Sequence, residues 1–60
     1  MQQHLTETRR QEIFLALVTA QDHDMGVTES RKLIAHRFGI SEGDVLKIER
    51  EGIENNWPPL

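Results

Sequence analysis

Apolar residues recur at the helical period in three separate stretches of this chain. In the first, Ile13, Phe14, Ala16, Leu17, Val18 and Ala20 form a broad stripe, and Leu15 at its edge almost completes the band. Thr6 stands where it can cap this stretch, so the pattern predicts a helix over about 7–21. Gln21 to Val27, QDHDMGV, reads as a loop with Gly26 as its breaker. In the second stretch Leu33, Ile34, Ala35 and Phe38 turn inward while Glu29, Lys32 and His36 turn outward. Thr28 as cap and Gly39 as stop place that helix at about 29–38. In the third, predicted over 42–54, Val45, Ile48 and Gly52 share the inner face, with Leu46 and Ile53 beside them. Gly52 lowers helix propensity by about 1 kcal/mol relative to alanine, and marks a kink, a helix end or a close approach of another helix.

The connection between the second and third helices carries three independent signals. Ala35, four residues before Gly39, is small enough for two crossing helices to approach closely. Gly39 accepts a positive φ without steric cost at the end of a helix. Ser41 and Asp44 form an S-x-x-D capping box, a close variant of the usual S/T-x-x-E/Q form. Ile40 and Val45 stand at the spacing of a hydrophobic staple around it. The expected fold is therefore all-α: one domain over 1–60, three helices with a helix-turn-helix, and a short extended C-terminal tail over 55–60.

Length and composition narrow the function. Sixty residues leave no room for an enzyme cleft and lid, and such a chain buries only about 60% of its unfolded surface. There is no cysteine for a disulfide or thiolate zinc site, which fits a reducing cytosol and a cytoplasmic location. The longest apolar run, Ile13 to Val18, is far short of a bilayer span. The first turn, with His4, Thr6 and Glu7, lacks the basic start of a signal peptide. Asp22-His23-Asp24 suggests metal only superficially, since His4 and His36 are not spaced to join it; no metal or other cofactor is expected. No nucleophile is paired with a base and no glycine-rich phosphate loop exists, so the chain is not expected to be an enzyme. The net charge is −3, but its distribution over faces decides what it binds.

I-A-x-x-F-G-I-S-x-x-x-V-x-x-I-E, read from Ile34 to Glu49, resembles the helix-turn-helix of bacterial regulators. Within that group it is similar to the promoter-reading C-terminal region of sigma factors. The resemblance covers roughly residues 28 to 52, about half the chain. It implies a helix lying in the major groove of double-stranded DNA and reading bases from its N-terminal half. The base-reading positions it implies are Ser41, Glu42, Gly43, Leu46, Lys47 and Arg50. Ser41 suits a phosphate or base, and Glu42 suits cytosine N4. Arg50, and less rigidly Lys47, suits guanine, while Leu46 suits a thymine methyl. Thr28, Arg31, Lys32 and His36 on the preceding helix are the positions implied for phosphate contact. Lys47 and Arg50 against Glu42 give that face a net +1, with Asp44, Glu49 and Glu51 to its side. The alternative is a solvated face with intrahelical pairs such as Lys47 with Glu51.

Two functions are therefore carried forward. One is a small sequence-specific DNA-binding regulator, dimeric through the first helix with Leu15 at the edge of the contact and Ile13, Leu17 and Val18 partly shared with it. The other is a protein-interaction module that keeps the same fold and presents the first helix or the Trp57-Pro58-Pro59-Leu60 tail to a partner. In that tail Trp57 and Leu60 either fold back as a lid on a core poor in aromatic area or form a polyproline docking peptide.

Overall fold

The structure, a computed structural model that describes residues 5–60, consists of α1 (Glu7–Asp22), α2 (Val27–Phe38) and α3 (Glu42–Glu54). His4, considered above as a metal ligand and as part of the first turn, lies outside the described residues. Each helix packs against both others. One core joins Ile13, Phe14 and Leu17 of α1, Ile34 and Ala35 of α2, Val45 and Ile48 of α3, and Trp57 of the tail. Among the described residues no helix is long and apolar enough to cross a membrane.

The Thr6 hydroxyl accepts the Arg9 N–H at 3.1 Å and so caps α1. The start of α2 differs from the sequence expectation. The helix begins at Val27 with Gly26 in extended conformation before it, and Thr28 lies inside the first turn instead of capping it. Ser30 accounts for the shift. It is fully buried, and its hydroxyl donates to the Val27 carbonyl at 2.8 Å while accepting from the Gln21 amide at 3.3 Å. The bond to Val27 needs the backbone around Val27 to be helical already, which moves the start ahead of Thr28.

The turn after α2 has the geometry that its residues predict. Gly39 is left-handed at φ 68°, ψ 36°. The Ile40 N–H donates to the Ala35 carbonyl at 3.0 Å and the Gly39 N–H to His36 at 3.4 Å, the paired bonds of a Schellman motif. Ser41 then caps α3, its hydroxyl accepting the Asp44 N–H at 3.0 Å. Among the described residues no return bond from Asp44 to the Ser41 amide is formed, so half of the capping box is present. Ile40 packs against the core and Val45 lies within it, as a hydrophobic staple requires.

Gly52 marks a close approach between helices. A Cβ there would overlap Cδ1, Cε1 and Cγ of Phe14, so the aromatic ring of α1 lies directly on the α3 backbone. Trp57 completes this junction, 6% exposed, with its ring edge-on to Phe14 at 6.0 Å and 78°. The tail reaches that position through a second Schellman motif. Asn56 adopts φ 52°, the Trp57 N–H donates to Gly52 at 3.0 Å, and the Asn56 N–H donates to Ile53 at 3.4 Å.

The lid consists of Trp57 without Leu60, which is 61% exposed. The tail is turned over Trp57–Leu60, the Leu60 N–H returning to the Trp57 carbonyl at 2.9 Å, so it is not extended along its length. Two further residues expected on or beside inner faces, Leu33 and Ile53, are exposed. Both fall on the flanks of their helices, beside the buried Ile34 and Gly52.

Gly52→Ala should improve helix propensity by about 1 kcal/mol. Against this stands overpacking of a ring that Trp57 prevents from moving, worth about 1–3 kcal/mol. The clash should prevail, giving a net loss of stability in urea denaturation. A variant as stable as the parent would show that Phe14 is free to retreat.

Candidate nucleic-acid interface

The face implied for base reading is built by the inward face of α3. Turning Val45, Ile48 and Gly52 to the core leaves the opposite sector outside. Ser41, Glu42, Gly43, Lys47 and Arg50 are all exposed, and Leu46 is half-buried. Thr28, Lys32 and His36 on α2 are exposed as well.

Arg31 does not join them. Its Nε donates to Glu49 Oε1 at 2.9 Å and a terminal nitrogen lies 2.8 Å from the same oxygen, with both side chains partly buried between α2 and α3. A guanidinium held this way is a strut between two helices rather than a free phosphate ligand. Glu51 is likewise committed elsewhere. It receives Arg10 of α1 in a two-pronged contact, Nε to Oε1 at 2.8 Å and a terminal nitrogen to Oε2 at 3.1 Å. The third nitrogen of Arg10 donates to the Leu5 carbonyl. The hydrogen bonds that Arg10 donates to Glu51 raise the arginine's pKa above its ordinary value. Glu51 therefore braces α3 against α1 and is not the intrahelical partner of Lys47.

A sorting of cations follows. Both α1 arginines are paired, Arg9 with Glu12 at 3.0 Å and Arg10 with Glu51. Among the described residues the four side chains of lysine or arginine left without an ion pair are Lys32, Arg37, Lys47 and Arg50, all on α2 and α3. Sequence reasoning placed Glu49 and Glu51 beside the candidate face but did not find their partners. Those partners lie 18 and 41 residues away, and no periodicity within one helix reports them.

The same surface carries opposing charge. Glu42 and Asp44 occupy the first turn of α3, where carboxylates suit the helix dipole. Among the described residues no three His, Asp or Glu side chains converge to hold a metal ion. No family model, curated protein or solved structure matches the chain.

If the Arg10–Glu51 contact braces α3, the two residues should be energetically coupled. A double-mutant cycle with Arg10→Ala and Glu51→Ala, read by urea denaturation, should give a favourable coupling that shrinks as salt is added. Additive losses would reduce the pair to a surface contact without structural effect.

Proposed function

We propose that this chain is a non-catalytic, sequence-specific DNA-binding module, a small transcriptional regulator that lays α3 in the major groove. The observation that carries the proposal is the sorting of cations. Lys47 and Arg50 on the outer face of α3, and Lys32 on α2, are left without ion-pair partners, whereas Arg10 and Arg31 are bound across helices to Glu51 and Glu49. Arg50 and Lys47 read base edges in this reading, with Ser41, Glu42, Gly43 and Leu46 on the same face. Thr28, Lys32 and His36 approach the phosphates, and Arg31 positions α3 instead. The capped start of α3 fits the use of a helix N-terminal half as the reading end.

Few phosphate-binding cations imply modest affinity for one module, so the working unit is a dimer. Leu15 lies on the outer side of α1, 49% exposed, and with Pro58 lines a shallow depression. Ile13 and Leu17, expected to share the contact, are fully buried in the core, so Leu15 and Pro58 form it in this proposal. Sedimentation at micromolar concentration should give a dimer that Leu15→Lys converts to monomer. A parent that sediments as a clean monomer removes this part of the reading.

Glu42 and Asp44 favour a second reading, a protein-interaction module, because carboxylates at the leading end of α3 oppose phosphate. A salt titration on random and genomic duplex separates the two. A DNA binder should lose affinity steeply as salt rises, through counterion release. Arg50→Ala should then cost about 1–3 kcal/mol and relax preference at one base pair. Lys32→Ala should weaken all sequences alike and lower the salt slope by about 1, while Glu49→Gln, which frees Arg31, should raise it. A parent that binds no duplex at low salt assigns the fold to protein interaction.

A further inference from the structure

Between α1 and α2 lies an open groove of about 480 Å³ whose floor and walls are mostly apolar. Ala16 and Ala20, one helical turn apart, form the α1 side, and Leu33 and Phe38 stand on the α2 side. The alanines are too short to fill the space between the two helices, which explains why Leu33, counted inward by periodicity, is 42% exposed. A leucine held in the open across from two alanines leaves room for side chains from another molecule.

The charge around this groove is opposite to that of the chain. The chain carries −3, yet no carboxylate lines the groove; its ionisable lining residues are Arg37 and His23. Arg37 has no ion-pair partner among the described residues. At Phe38 the guanidinium of Arg9 covers the ring at 4.8 Å, but it is paired with Glu12, so Arg37 is the unpaired cation of the groove. An apolar trough between two helices, with an unpaired arginine and no carboxylate in its lining, matches an amphipathic helix whose polar face is acidic.

We propose that the α1/α2 groove docks an acidic amphipathic helix from a partner protein, its apolar side chains against Ala16, Ala20 and Leu33 and a carboxylate on Arg37. The site lies apart from the outer face of α3 and does not depend on DNA binding. A small hydrophobic ligand would leave Arg37 uncompensated, and a basic helix would meet it with like charge. The docked helix closes the groove as a fourth helix beside α1 and α2.

The test uses two fluorescein-labelled helical peptides as long as α1, 16 residues. One has leucine on one face and glutamate on the other; the second replaces every glutamate by lysine. In physiological salt, where charges beyond about 8 Å are screened, the glutamate peptide should bind about tenfold more tightly despite the negative net charge of the chain. Amide shifts should concentrate at Ala16, Ala20, Leu33 and Phe38. Arg37→Glu should reverse the order of the two peptides, and Leu33→Ser should abolish both complexes; circular dichroism checks that each variant remains folded. Should Arg37→Glu fail to fold, Arg37→Gln is expected to erase the preference without reversing it. Equal binding of the two peptides, no binding, or shifts centred on α3 or the tail would overturn the proposal. Self-association of the parent that Leu33→Ser abolishes would also overturn it, by giving the groove to a second copy.

Discussion

The missing side chain at Gly52 allows the rest of the molecule to assemble. Because α3 presents bare backbone there, the Phe14 ring can lie against it, and α1 approaches α3 at the distance this contact sets. Trp57 then meets Phe14 edge-on and closes the core from the tail. In a chain with three aromatic residues this junction uses two of them. The Trp57 N–H also takes the Gly52 carbonyl, so one residue supplies both the space for the ring and the anchor for the tail. An edge-to-face aromatic pair contributes about 0.5–1.5 kcal/mol beyond its buried area. That is a large share of the stability of a domain this small.

Around this junction α3 is held by contacts of a different kind. Arg10 grips Glu51 from α1, and Arg31 grips Glu49 from α2. The two carboxylates are two residues apart on one helix and face different neighbours, so the pairs resist rotation of α3 about its axis as well as its displacement. With its orientation set, the residues that α3 shows to solvent are a consequence of the core and not an independent choice. Glu42, Gly43, Lys47 and Arg50 face outward because Val45, Ile48 and Gly52 face the core.

Local chemistry was legible in the sequence, and long-range chemistry much less so. The turn at Gly39, the Ser41 and Thr6 caps and the limits of α3 rest on neighbouring residues, and each was read correctly. The start of α2 was misplaced because Thr28 is an ordinary cap candidate, while the deciding residue, Ser30, acts through a burial that only tertiary packing creates. Leu33 was misassigned for a related reason. Periodicity reports the sector of a helix, but whether that sector is filled depends on the size of the residues opposite, here two alanines. The face of α3 was recovered from helical spacing. The engagement of Arg31 was not, because Glu49 lies on another helix.

The left-handed Asn56 makes the terminal segment an optical reporter of the whole fold. It turns Trp57, the one indole of the chain, from the end of α3 into contact with α1. Its emission therefore senses the juncture of the first and last helices, with no other tryptophan to dilute the signal. Helicity measured in the far ultraviolet averages all three helices, whereas this fluorophore reports their closure. Agreement between the two through a melting curve would mean that the tail and the bundle come apart as one cooperative unit. A blue-shifted band lost ahead of the helicity would instead mark a tail that detaches while the helices persist.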